Sequence, residues 1–430
     1  MSILIKDAVI VPQAGSKPWF KVSIYIEDNL ISEIAPTISV EADTIIDASK
    51  KIVLPGLINS HTHVPMTLLR GYGDDMLLSE WLRECIWPVE ARLNAEYVKI
   101  ASQLAFLEMI ASGTTMFLDM YFFEDTIGKQ AKQAGLRAAL GFAFIDAGTP
   151  EYPVDELIPR CEQFIRRWQD DELIIPVIAP HGTYTCGPST LEMIAELSRK
   201  HNVMVHTHCA ETRDEVYQVK NKYGVRPVEQ LKRCGLFETS LSLAHCGWIT
   251  KNEIAEMKKA SISVSHCPVS NMKIATGGYA PIPELIDAGV PVSLGTDGAA
   301  SNNTLDMFDT MKMTALIHKQ HRWDPRIMSA KQVLDCATLG GGATMGLSEH
   351  IGSLEEGKYA DVIIIDTNSA HLTPCHDPMS NIVYAAQGAD VWATIVNGSI
   401  LYLDHEFHSL DLDHILDQAT AKAKDLTSSP

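Results

Sequence analysis

The sequence predicts an α/β fold, a (β/α)8 TIM barrel with a small β-sandwich built from both chain termini. Three features carry that expectation. The two ends of the chain have a strand-like texture, eight apolar runs alternate with helical stretches between them, and chemically active residues stand where those runs stop.

Before Leu54, the runs ILIKDAVIV, KVSIYIED and NLISEIAP are short, strand-like and separated by Gly, Pro and Asn signals. They form the first part of a β module over residues 1–53. Barrel strands follow at 54–60 (LPGLINS), 114–120 (TTMFLDM), 136–145 (LRAALGFAFI), 173–181 (LIIPVIAPH), 202–208 (NVMVHTH), 240–246 (SLSLAHC), 261–267 (SISVSHC) and 291–297 (PVSLGTD). Between them lie helical stretches such as AEYVKIASQLAFLEMIASG, closed by Gly113, and STLEMIAELSRKHN, which opens after Pro188 on a Ser cap. Eight strand-helix units within 54–351 match the length of about 250 residues usual for a closed barrel, which favours it over an open doubly wound sheet. From 352 to 404 the β texture returns in SLEEGKYADVIIID and ADVWATIVNGSILYLD, where Asn397-Gly398 marks a hairpin turn. The simplest topology has these strands complete the N-terminal module. Residues 405–430 remain as a C-terminal helix and tail, with disorder confined to KDLTSSP.

Composition narrows the class of function. The 430 residues are 46% apolar and 21% charged, as in soluble globular proteins, and the formal net charge of −19 disfavours nucleic acid and anionic membrane surfaces as partners. The N-terminus lacks the pattern of a secretory signal and no later run approaches a membrane span, so a cytoplasmic enzyme is the expectation. Nine cysteines with no C-x-x-C pair fit reduced thiols. Cys209, Cys246 and Cys267 each follow a histidine, and they read as buried small apolar residues rather than ligands.

Active sites of such barrels gather where strands end. The first strand ends in His61-Thr62-His63, whose histidines share a face because side chains alternate with period two. An H-x-H alone is too short to carry a function. Three later strand ends add weight: His206-Thr207-His208 with Glu211 beyond it, His245, and Asp297 in SLGTDGAASNN. Imidazoles with a carboxylate suit Zn²⁺ or Fe²⁺ and leave room for water. Singly, each has a bland alternative, a core histidine or an Asp capping a helix; together they do not.

The order PGLINSHTH, HTHCAET, LAHC, SHCPVSN and LGTDGAASNN resembles the amidohydrolase superfamily. More narrowly, HTHVPMTLLRG followed by EWL and WPVEARL resembles the 5′-methylthioadenosine/S-adenosylhomocysteine deaminase family, which includes 5′-deoxyadenosine deaminases. The resemblance spans nearly the whole chain. It implies His61, His63, His208 and Asp297 as metal ligands, Glu211 as proton carrier, His181 as a substrate contact and Glu90 as the residue that binds the ribose hydroxyls. Periodicity leaves His206 and His208 equivalent; the family's His-x-x-Glu pattern selects His208, and His206 becomes a barrel-interior residue. Relatives with two metals bridge them with a modified lysine after strand four, but here that strand ends APHGTYTC, which implies one divalent transition metal per subunit, Zn²⁺ with Fe²⁺ as the alternative.

The expected reaction is hydrolytic deamination of a 5′-substituted adenosine to the inosine analogue and ammonia. A bound Zn²⁺ lowers the pKa of water from about 15.7 to about 7, which supplies the nucleophile. Glu211 then protonates the ring nitrogen and the leaving amine, Asp297 accepts the water's proton, and His245 orients the attacking oxygen. Asp297 and Glu211 therefore both face the substrate. Trp81 covers the purine or its 5′ group, unless it is simply core. Some relatives carry an arginine after strand three that suits a charged tail; here that loop reads IDAGTPEYPVDELIPR, acidic until Arg160. The expectation leans to 5′-deoxyadenosine, 5′-methylthioadenosine or adenosine over S-adenosylhomocysteine, in a homo-oligomeric enzyme. Alternatives are a guanine-type, aminofutalosine or triazine hydrolase, and a non-enzymatic relative that kept the barrel.

Overall fold

Two sheets share the chain, and the computed structural model describes them over residues 2–13, 15 and 17–428. Strands β1 (Ser2–Ile10), β2 (Trp19–Glu27), β3 (Leu30–Ala35), β4 (Thr44–Asp47) and β5 (Lys51–Pro55) precede the barrel. The barrel contains β6 (Leu57–Thr62), β7 (Thr114–Tyr121), β8 (Arg137–Phe144), β9 (Ile174–Pro180), β10 (Val205–Cys209), β11 (Leu241–His245), β12 (Ser263–His266) and β13 (Val292–Leu294). Strands β14 (Val362–Asp366), β15 (Val391–Val396), β16 (Ser399–Leu403) and β17 (Glu406–Phe407) follow it.

The eight barrel strands pair in chain order, all parallel. Every residue of β7 and β8 is buried, as expected of strands covered on both faces, and this explains their unbroken apolar runs. Between β13 and β6, Asp297 N donates to His61 O at 3.0 Å, Thr296 N donates to Asn59 Oδ1 at 3.0 Å, and Ser60 Oγ donates to Leu294 O at 2.8 Å. These bonds bring the last strand against the first. Gly295 makes the approach possible, since a Cβ there would stand 2.8 Å from the His61 Cβ.

The terminal strands form one continuous sheet in the order β17-β16-β15-β14-β5-β1-β2-β3, with β4 also on β1. It curls on itself around its own core: Ile31 N donates to Lys358 O and Gly357 N to Ile31 O, tying β3 to the segment that leads into β14. In β5, β14 and β15 alternation assigns one strand two duties. Ile3, Ile24, Val53, Ile364 and Ile395 fill a core of the sheet's own, whereas Ile52, Leu54, Ile363 and Ile365 join the barrel core. Asn397-Gly398, both at positive φ, makes the β15–β16 turn.

Three local expectations change. Leu54 and Pro55 extend β5 in the terminal sheet and not the first barrel strand. The break falls at Gly56, where a Cβ would lie 2.0 Å from Thr115 Oγ1. The helix Pro188–His201 is preceded by Gly187 as its cap, so Ser189 lies inside it. Of the KDLTSSP tail, Lys424 to Thr427 belong to the helix Leu412–Thr427; the last two residues lie outside the described range. Among the described residues no helix is long and apolar enough to cross a membrane.

Candidate active site

The ends of β6, β10 and β11 and the turn after β13 converge on one point. His61 Nε2 lies 3.6 Å and His63 Nε2 3.2 Å from Asp297 Oδ1, and His208 Nε2 lies 3.3 Å from His63 Nε2. Two overlapping groups have ligand atoms within 4.8 Å of one another, His61 with His63 and Asp297, and His61 with His208 and His245. Each ring is aimed from behind. His63 Nδ1 meets Met120 O at 2.7 Å and His208 Nδ1 meets His181 O at 2.6 Å; a carbonyl can only accept, so both rings carry hydrogen on Nδ1 and turn Nε2 toward the cluster. His245 Nδ1 is held by Asn271 Oδ1 at 2.9 Å, and its Nε2 lies 4.0 Å from Glu211 Oε1. Ser270 Oγ donates to Asp297 Oδ2 at 2.5 Å and Gly298 N to Oδ1 at 2.8 Å.

These residues fit a divalent cation. His61 Nε2 is fully buried and has no hydrogen-bond partner among the described residues, an arrangement that costs free energy unless something else meets the lone pair. The site draws positive charge: burial works to lower the His63 pKa, but the hydrogen bond and charge of Asp297 raise it to about 9. Burial acts to raise the Asp297 carboxyl, yet the hydrogen bond and charge of His63 hold it well below the ordinary range. His61 and His208 are pushed well down, first by burial and then by neighbouring histidines, which keeps them neutral as ligands must be.

The cluster floors a cavity of about 610 Å³ that Trp81, Glu90, His181 and Glu211 also line. Burial raises the Glu211 carboxyl, with His245 acting against it. Burial likewise raises Glu90, opposed by the hydroxyl of Tyr121, which donates to Glu90 Oε1 at 2.7 Å. His181 is lowered to about 4 by burial and then by His63 and His245, and its Nδ1 lies 2.9 Å from Thr185 Oγ1. Trp81 is buried, and its indole N–H donates to Tyr72 O at 3.0 Å. Arg160 is elsewhere. It pairs with Glu156, stacks on Tyr152 and lines a separate small cavity.

Sequence reasoning treated His206 as interior, and it is fully buried, but its Nε2 stands 2.8 Å from His61 Nδ1, directly behind the cluster. Glu215 was missed. Its carboxylate accepts from the backbone N–H of Ala210 and Glu211 and from Thr183 Oγ1, fixing the loop that carries Glu211. The pattern Thr212-x-x-Glu215 reads as a capping box, and Thr212 does cap the helix Arg213–Tyr223, but the Glu215 side chain reaches past the cap to the site loop. Asp119 was also missed: it accepts from Thr62 Oγ1 and Val64 N, bracing the residues on either side of His63. Nothing in the sequence separates it from any other strand aspartate.

Comparison with known proteins agrees with this geometry. The model of the amidohydrolase family matches residues 52–401, and the chain belongs to that family. Its enzymes are metal-dependent hydrolases acting on C–N bonds. The chain is 43% identical to a 5-methylthioadenosine/S-adenosylhomocysteine deaminase of Thermococcus onnurineus, covering 94% of this chain and 95% of that protein. It is 42% identical to a 5′-deoxyadenosine deaminase of Methanosarcina mazei, covering 99% and 98%. Among solved structures, an adenosine deaminase from Xanthomonas campestris with bound zinc superposes with a TM-score of 0.96 at 34% identity, covering 99% of this chain and 98% of that one.

Proposed function

We propose that this enzyme hydrolytically deaminates 5′-substituted adenosines whose 5′ group is small and uncharged, with one Zn²⁺ held by His61, His63, His208 and Asp297. One observation carries the substrate class. Among the described residues, the cavity above the histidine cluster is lined by no lysine or arginine, and its only carboxylates are Glu90, Glu211 and Asp297. Its outer wall is apolar, with Leu82, Trp87, Phe122, Ile145 and Pro150. A tail carboxylate buried there would be unpaired, which is costly. The relatives named above support the adenosine core.

When bound, the cation supplies an ionised water at neutral pH. The protein's own residues do the rest. Glu90 accepts hydrogen bonds from the ribose hydroxyls and sets the adenine's depth. His181 contacts the base, and Trp81 with the apolar wall excludes water. Asp297, held by Ser270 and Gly298, accepts the proton of the attacking water, and His245 orients its oxygen. Glu211, whose carboxyl is raised by burial, gives a proton to the ring nitrogen beside the reacting carbon as that carbon becomes tetrahedral. The carboxylate left on Glu211 takes up the proton of the new hydroxyl and passes it to the amino group, which leaves as ammonia while the carbon–oxygen double bond forms; the proton held by Asp297 then returns to Glu211 and restores both groups.

A spectrophotometric screen of 5′-deoxyadenosine, 5′-methylthioadenosine, adenosine and S-adenosylhomocysteine tests the proposal. The three neutral nucleosides should exceed S-adenosylhomocysteine in kcat/KM by roughly tenfold or more, the cost of about 1.4 kcal/mol for a poorly paired charge. A zinc-replete preparation that deaminates none of the four, or that prefers the charged tail, overturns it.

A further inference from the structure

Asp119, Met120 and Tyr121 at the end of β7 serve three neighbours at once. Asp119 braces the residues around His63, Met120 O receives the His63 Nδ1 hydrogen, and the Tyr121 hydroxyl donates to Glu90 Oε1 at 2.7 Å. Tyr121 is itself immobilised. Its backbone N–H donates to Glu124 Oε1 at 2.9 Å, its ring packs at 4.9 Å from Phe122, and it is 5% exposed. Glu90 stands at the end of the short helix Trp87–Glu90, and among the described residues no lysine or arginine lines the cavity around it. In the absence of a cation partner, a buried carboxylate keeps its charge and its aim only through hydrogen bonds.

We infer that Tyr121 is the positioning residue for sugar recognition: its hydroxyl occupies Glu90 Oε1 and turns Oε2 toward the ribose, tying the sugar site to the strand end that also orients His63. The inference rests on the proposed role of Glu90 as ribose acceptor. The phenol is a donor to the carboxylate, so it holds Glu90 in the accepting form that two sugar hydroxyls require. Its own oxygen keeps lone pairs that face the same cavity. A phenylalanine would preserve the packing on Phe122 and leave the buried carboxylate with no neutral donor.

The test compares adenosine with its 2′-deoxy and 3′-deoxy analogues in wild type, Tyr121→Phe, Glu90→Ala and the double variant, all zinc-loaded. Tyr121→Phe should raise KM for adenosine roughly tenfold with kcat within about threefold, the scale of one hydrogen bond to a charged group. The deoxy analogues should be affected much less, so discrimination between ribose and deoxyribose collapses. In the Glu90→Ala background the same change should have almost no further effect, a non-additivity that a packing role would not produce. A Tyr121→Phe enzyme that keeps full ribose discrimination while Glu90→Ala loses it overturns this inference alone. A wild type that does not discriminate ribose from deoxyribose overturns the Glu90 reading and this inference with it. Should Tyr121→Phe misfold by circular dichroism, Tyr121→Leu, which also removes the hydroxyl, serves the same comparison: additive effects with Glu90→Ala overturn the inference.

Discussion

His61 leans on a different support from the other histidines of the cluster. His63 and His208 are backed by carbonyl oxygens, whereas His61 Nδ1 faces another imidazole, His206 Nε2, at 2.8 Å. If the hydrogen sits on His61 Nδ1, the Nε2 lone pair is free for a cation, and His206 must then carry its own hydrogen on a buried, unpartnered Nδ1. Burial, followed by His63 and His245, lowers His206 to about 3, so it stays the neutral acceptor this requires. His206→Leu is therefore expected to weaken zinc binding about 10- to 100-fold, with His206→Gln intermediate, as measured by chelator competition on folded protein. Unchanged affinity would reduce His206 to filler. This residue also shows what the sequence could convey. That two histidines share a face follows from a period of two, but which touches the ion and which supports a ligand depends on depth in the barrel, a three-dimensional quantity.

At the level of elements, the eight barrel strands were legible because strands buried on both faces read as unbroken apolar runs ending in polar residues. The exception is instructive. LPGLINS crosses from one sheet to the other at Gly56, and an apolar run carries no mark of which sheet it joins. The segment Leu78–Trp81, Leu82–Ile86 and Trp87–Glu90 reads as a cover, yet the π-helical turn in its middle, which sets which side chains face the cavity, has no simple sequence signal. The helix Met307–Arg322 carries a prediction of its own. His318 Nε2 meets His266 Nε2 at 3.1 Å, with Arg322, Glu284 and His321 as its other charged or titratable neighbours. Burial, then Arg322, lowers His318 from 6.5 to about 4. Between those values the unfolded chain binds a proton that the folded one refuses, so stability falls as pH drops from 6.5 toward 4, and none of this loss exists above 6.5. The window amounts to about 3 kcal/mol. Denaturation midpoints of wild type and His318→Leu at pH 7 and pH 5 should show the variant losing less on acidification, by about 1.4 kcal/mol per pH unit within the window. Equal losses would refute the assignment.

For the whole molecule, the joint between barrel and terminal sheet is a buried ion pair. Arg137 on β8 donates to Asp361 at 3.0 and 3.3 Å, to Asn397 Oδ1 and to Glu172 O, and its guanidinium lies over the Tyr359 ring. Arg137→Ala leaves Asp361 buried without its counter-charge and is expected to cost about 3–5 kcal/mol. Urea unfolding should show that loss, while kcat below the transition stays near wild type because the pair sits far from the strand ends that carry the histidines. In the sequence, Arg137 opens an apolar run and gives no sign of its partner more than two hundred residues away. The pairing of the two chain ends was inferred from texture alone, and the curl that ties β3 to residues 357–360 was not foreseen.

The strand order of the terminal sheet has a consequence during synthesis. β5 lies between β1 and β14, and Leu54 pairs with Ile363, so one side of β5 has no partner until roughly 300 further residues have been translated, about 15–60 s at ordinary elongation rates. Throughout that interval the nascent chain presents an apolar strand with open backbone groups, a template for mispairing with a neighbouring copy. The fold closes its first sheet late: β5 gains its second neighbour only after the whole barrel has been translated.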